Sequence, residues 1–318
     1  MPVPEPGLPA PHASEPPAPE PESAAPRPVD PVALARWRQR LRAAVEPPWL
    51  HAEAARRMAE RLGVVRLQPQ QVLDWGLQHR HDHALLAAAY PEARALWVDP
   101  DGLGRAPQSR PWWRGLLSRT QAPALVAPGA VPAGSAQLLW SAMLLHTWAE
   151  PQGLLAAWHR ALAVDGFVMF CTFGPGTLQS LSALYADQAW PVPLAPLVDM
   201  HDLGDMLVRA GFADPVMDQE TLRLTWADAD AALNELRSLG LNASPLRPAG
   251  LRSPRWRQRL LQALQRGAGI DGRITLEFEL VYGHAFKPPP RVRLAAETTL
   301  ALDDMRRMVK RSLPTRGH

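Results

Sequence analysis

Apolar residues recur along the chain with two different periods, and the change from one to the other marks the elements. Leu34, Trp37 and Leu41 fall at i, i+3 and i+7; Leu50, Ala54, Met58 and Leu62 follow at every fourth position. This predicts two helices between 32 and 62, broken at Pro47-Pro48, with Gly63 ending the second. Beyond Gly63 the pattern turns to short continuous apolar runs at 71–75, 94–99, 123–127, 137–140 and 166–172. Between and after these runs, helical spacing returns over 83–90, 152–163, 177–187, 201–210, 228–239 and 255–266. Continuous apolar strands alternating with amphipathic helices predict a parallel sheet covered on both faces. A further strand near 221–226 and a long alternating strand at 273–286 complete it, the latter suited to antiparallel pairing at the sheet edge. The expected fold is therefore α/β, a doubly wound, mostly parallel seven-stranded sheet with an antiparallel edge strand.

Composition changes the picture mainly at the two ends. Of 35 prolines, 11 fall in the first thirty residues, which predicts a disordered Pro-rich arm over 1–31. The folded domain is expected over 32–287, where the three prolines at 288–290 close it, with 288–318 a basic tail or helix. The arm carries five acids against Arg27, whereas 246–318 carries fifteen Arg and Lys against six acids. That asymmetry points to an acidic partner near the C-terminal part. No apolar run approaches the length of a membrane span, and no basic-then-apolar leader opens the chain, so the expected location is cytoplasmic. The single cysteine, Cys171, lies inside a core strand and excludes a disulfide framework.

Candidate chemistry gathers at the strand ends, where open α/β sheets bind ligands. The first strand ends in Asp74-Trp75-Gly76 and the second in Asp99, 25 residues later. An acid at that second position is what gripping a ribose requires. Ser141, Met143 and His146 follow the fourth strand, with His146 the candidate catalytic side chain. Arg247, Arg252, Arg255, Arg257 and Arg259 surround Trp256 and suit a carboxylate or an acidic protein. No nucleic-acid motif accompanies them. His79, His81 and His83 alternate, but a helix is expected to begin near them, so no metal site is read there.

Several segments together carry a family resemblance. They are Leu139-Trp140-Ser141-Ala142-Met143-Leu144-Leu145-His146, the strand Gly166–Thr172, Val198-Asp199-Met200-His201-Asp202-Leu203 before Ala210-Gly211-Phe212, Leu236-Arg237-Ser238-Leu239-Gly240, Gly250-Leu251-Arg252, and Val281-Tyr282-Gly283-His284. Over roughly 50–287 the chain resembles class I S-adenosylmethionine-dependent methyltransferases, in the branch that contains the malonyl-acyl-carrier-protein O-methyltransferase of biotin synthesis. The resemblance implies S-adenosylmethionine as cofactor, no metal, and methylation of a malonyl carboxylate on an acyl carrier protein. It assigns Asp74, Gly76, Asp99 and Ser141 to the cofactor and Arg247 and Arg252 to the substrate. The chain departs from the family's Asp-x-Gly-x-Gly-x-Gly loop, having Asp74, Gly76, Gln78 and Arg80 at the four positions. The acid expected after the third strand is replaced by Ala127-Pro128-Gly129. A catalytically silent scaffold that binds a partner is the alternative expectation.

Overall fold

A computed structural model describes residues 27–102, 123–248 and 250–290. The arm up to residue 26, the Trp112-Trp113 pair and the tail from 291 lie outside the described residues.

Helix α1 (Pro31–Ala43) starts where its sequence says it should. Asp30 accepts hydrogen bonds from the Val32 and Ala33 amides at 3.0 Å, and Pro31 occupies the first turn. Its buried stripe is Ala33, Leu34, Trp37 and Leu41. Residues before the cap are also attached, since the Arg27 amide donates to Ala149 O and the Asp30 amide to Ala243 O, both at 2.8 Å. Helix α2 (Trp49–Arg61) follows the Pro47-Pro48 break and buries Leu50, Ala54 and Met58.

The sheet then builds in alternation. Strand β1 (Gln71–Trp75) leads to α3 (His79–Ala89), β2 (Arg94–Val98), β3 (Leu125–Val126) and β4 (Ala136–Ala142). Helix α4 (Pro151–Ala161), β5 (Leu162–Phe173), α5 (Gln179–Asp187), α6 (Met200–Arg209) and β6 (Ala213–Trp226) come next. Helices α7 (Ala229–Leu236) and α8 (Pro254–Arg266) precede β7 (Ile274–Phe286). The strand order is β3-β2-β1-β4-β5-β7-β6, parallel from β3 to β5, with β7 antiparallel to both its neighbours. Successive β5 residues feed opposite faces: Phe167, Met169 and Cys171 join one core, Val168 and Phe170 the other. This is the doubly wound arrangement that continuous apolar strands demand.

The antiparallel edge differs in detail from the expectation. The alternating strand at 273–286 lies between β5 and β6, and β6 forms the edge. Strand β6 is longer than its apolar stretch at 221–226 because its outer half alternates half-buried and exposed residues, as one solvated face requires. Among the described residues, no helix is long and apolar enough to cross a membrane.

Candidate active site

Strand order reverses between β1 and β4, and their carboxyl ends open on one region of the molecule. Asp74, the penultimate residue of β1, is fully buried between Trp97 and Trp140, its register partners on the flanking strands. Its Oδ2 lies 2.7 Å from His79 Nδ1, and the His79 ring stacks on Trp97 at 5.3 Å. Asp82, from the first turn of α3, is also buried. A Cβ built on Gly76 would lie 3.3 Å from Asp74 Oδ1 and 3.7 Å from Asp82 Oδ2, so both carboxyls converge on this glycine. Burial, reinforced by the neighbouring Asp74 charge, pushes the Asp82 carboxyl well above the usual carboxylate range. Asp74 Oδ1 and both Asp82 oxygens have no hydrogen-bond partner among the described residues. A set of unpartnered carboxyl oxygens therefore stands beside Gly76.

The altered loop has a local cause and a local consequence. Arg80 favours helix where glycine disfavours it, and α3 begins at His79, inside the span of the family's glycine loop, with Gln78 at its cap position. Gln78 Nε2 donates to Leu41 O at 3.1 Å and so ties this turn to the end of α1. Arg80 is exposed at the rim. A cleft of about 460 Å³ remains, lined by Leu41, Arg42, Gln78, His79, Trp97 and Asp99. Deeper in, between His51, Gln78, Asp82 and Met143, the open volume shrinks to about 10 Å³.

Asp99 is buried just beyond β2. Its Oδ1 accepts from Arg42 Nη2 at 2.6 Å and from the Asp101 amide at 3.1 Å. Arg42 also pairs with Asp101, as does Arg38 at 2.8 Å. The acid expected to grip a ribose is thus held by the first helix.

Ser141 is buried within β4, and its Oγ has no partner among the described residues. His146 stands in a single turn after β4 (Leu145–Thr147), its ring edge-on to Phe173 at 4.8 Å. The rings of His51 and Trp37 lie 6.1 and 6.2 Å from it. Burial first, then the neighbouring His51 and Arg27, drives the His146 pKa well down. Burial likewise lowers His51 to about 4. Both imidazoles are therefore neutral near pH 7. Arg27 straps this turn by donating to the His146 and Trp148 carbonyls at 3.1 and 3.2 Å.

Arg247 and Arg252 are not beside His146. Both line a pocket with Tyr185 and Trp256, where the Arg252 guanidinium lies 4.7 Å above the Trp256 ring. Arg247 is 3.4 Å from the cap residue Asp30. The candidates thus form an acidic niche with Asp74 and Gly76, a cleft ending at Asp99, a histidine chamber and an arginine pocket. Residues missed by sequence reasoning are Asp82, Arg42, His51 and Trp37. Asp82 left a signal, falling four residues before Leu86 on the buried face of α3, and Trp37 was marked by its spacing only as a core position of α1.

The strand order, with β7 inserted antiparallel beside β5 and acids closing β1 and β2 at the switch point, defines a class I methyltransferase fold. No family model matches the chain. It is 39% identical over 260 residues to the malonyl-[acyl-carrier protein] O-methyltransferase of Laribacter hongkongensis, covering 79% of this chain and 86% of that protein. The enzymes of the same name from Halorhodospira halophila and Gallionella capsiferriformans are 37% and 36% identical, covering 89% and 86% of their lengths. The chain belongs to the malonyl-acyl-carrier-protein O-methyltransferase family.

Proposed function

We propose that this protein methylates the free carboxylate of a malonyl thioester on an acyl carrier protein, in the cytoplasm, with S-adenosylmethionine as methyl donor and no metal. The observation that carries the reading is the unpartnered set of Asp74 and Asp82 oxygens converging on Gly76 beside the Asp99 cleft. These residues fit the cofactor: an α-ammonium supplies the cation the niche lacks, and Asp99 is an acceptor for ribose hydroxyls once Arg42 releases it. Bound S-adenosylmethionine supplies an electrophilic methyl group.

The chain's own residues then have positioning work. Gly76 leaves the approach to Asp74 clear of a side chain. Ser141 offers a buried hydroxyl at the end of β4. A carboxylate acceptor is already an anion and needs no base, so neutral His146 serves by orienting it through one ring N–H, not by removing a proton. Arg247 and Arg252 are the cations for the acidic acyl carrier side of the substrate.

Calorimetry with S-adenosylmethionine and its demethylated product, followed by transfer of labelled methyl to malonyl-carrier and acetyl-carrier, tests the reading. Binding and transfer to the malonyl form alone are expected. If neither wild type nor Gln78→Gly/Arg80→Gly binds either compound at millimolar concentration, the reading fails. A catalytically silent scaffold is disfavoured by the named relatives, and the loop substitutions leave a cleft beside Asp99 with Arg80 exposed on its wall.

A further inference from the structure

Helix α1 serves two clefts. Its last residues, Leu41 and Arg42, line the Asp99 cleft, while Ala33, Arg36, Trp37 and Arg40 line a second one of about 600 Å³ between α1, α5, α7 and α8. The second cleft has an apolar floor that includes Leu181, Leu233 and Leu260. Five arginines and no acidic residue line it. Arg257 is paired with Asp230, and Arg247 stands 3.4 Å from Asp30. On α1 itself, Arg38 and Arg42 are taken by Asp101 and Asp99. Arg36 and Arg40 instead face this acid-free cleft. They are exposed and one helical turn apart, an i, i+4 pair of like charges that repel unless an anion lies between them. Guanidinium pairs match phosphate oxygens in geometry as well as charge.

The inner end of the cleft meets the histidine chamber at one side chain. Trp37 lines the cleft, and its ring lies 6.0 Å from His51 and 6.2 Å from His146. Trp37 is fixed by a 2.6 Å hydrogen bond from its indole to Ser238 O. Gly240, at φ +75°, backs it so closely that a Cβ there would sit 2.5 Å from the ring. An elongated ligand with a phosphate at one end and an apolar body fits the arginine wall, the leucine floor and the Trp37 end together.

From this arrangement we infer that the cleft is the seat of the carrier protein's phosphopantetheine arm. Arg36 and Arg40 hold its phosphodiester, the leucine floor receives the chain, and the thioester end arrives at Trp37 beside His146. The inference rests on the malonyl-carrier reading above and adds where the arm lies.

The test compares carrier with its arm, carrier lacking the arm, and free coenzyme A, by emission of the cleft tryptophans in the full chain at low salt. Wild type and Arg36→Glu/Arg40→Glu are titrated side by side, with Arg36→Gln/Arg40→Gln as a milder pair should the reversal lower the melting temperature. Wild type should favour the armed carrier over the armless one on the order of tenfold, and the reversal should erase that preference. KM for malonyl-carrier should rise by a similar factor, while methyl transfer to a phosphate-free malonyl thioester keeps its kcat and KM. A preference that survives the reversal overturns the proposal. Free coenzyme A binding as tightly as the armed carrier overturns the carrier as the source of the arm. Absence of methyl transfer to every malonyl thioester is a failure of the enzymatic reading, and the binding comparison still decides the cleft.

Discussion

The guanidinium of Arg42 donates a 2.6 Å hydrogen bond to Oδ1 of Asp99, tying the last turn of α1 to the acid that closes β2. The partners are 57 residues apart, and the bond makes α1 a lid on the cleft. It also sets α1 in competition with any hydroxyl that Asp99 is to receive.

Replacing Arg42 therefore has two opposed effects. Arg42→Ala removes a partly buried pair and should lower unfolding free energy by about 1–2 kcal/mol, less than a fully buried pair because Arg42 is a quarter exposed and Asp99 keeps the Asp101 amide. The same change frees Asp99, so affinity for S-adenosylhomocysteine should rise severalfold. Asp99→Ala should instead weaken that affinity by roughly 1.5–3 kcal/mol, the range for a hydrogen bond to a charged acceptor. Calorimetry on the two variants decides this, and equal losses in both would remove Arg42 as a competitor.

Restoring the loop glycines should trade stability for access. In Gln78→Gly/Arg80→Gly the first turn of α3 loses a helix former at Arg80, at about 0.5–1 kcal/mol. The Gln78 bond to Leu41 O is also lost. Loosening that tie should open the narrow space between His51, Asp82 and Met143 and tighten cofactor binding. A variant that melts lower and binds no better would show that the side chain of Gln78 is not what narrows it.

The parts of the fold that were legible are those where neighbours in sequence decide the outcome. The strand at 166–172 is apolar on both faces because β5 is covered on both, and that needs no tertiary knowledge. The helix break at Pro47-Pro48 is equally local. The position of β7 inside β6 was not legible, since alternation fixes which residues face the core but not which strand lies outside. The site divides the same way. Asp74, Gly76 and Asp99 could be read because strand-end position alone selects them. The grip of Arg42 on Asp99 and the ring contacts of His51 with His146 join distant segments, and no local pattern announces them.

Asp82 should make the protein less stable as pH rises. Its carboxyl is held neutral by burial and by Asp74, so its folded pKa lies above the unfolded one. At pH below about 3.8 both states carry the proton and the group is silent; above it the unfolded chain ionises first, and stability falls until the folded pKa is passed. Asp82→Asn keeps the shape and removes that fall. Urea unfolding at pH 4.5 and 7.5 should show a stability gain for the variant that is larger at the higher pH. A gain independent of pH would mean that Asp82 is ionised in the folded state.

The histidine chamber predicts the opposite slope on the acid side. Burial lowers His51 from 6.5 to about 4 and sends His146 in the same direction. Above about pH 6.5 both folded and unfolded chains hold neutral imidazoles, and the pair contributes no pH dependence. As pH falls below 6.5 the unfolded chain gains protons that the folded one refuses, so stability is lost progressively down to about pH 4. The His51 shift alone corresponds to a loss on the order of 3 kcal/mol across that window, and His146 adds to it. His51→Gln should flatten the curve in that window because the amide does not titrate, whatever it costs in packing at pH 7.5. His146→Gln should flatten it further, and the two effects should not add, since each imidazolium raises the cost of charging the other at a ring separation of 6.1 Å. Equilibrium unfolding at pH 7.5, 6 and 5 on the wild type, the two single variants and the double variant measures both slope and coupling. A wild-type curve flat from pH 7.5 to 5 would show that the rings meet water in the folded chain, and neutral His146 would lose its basis as the orienting group.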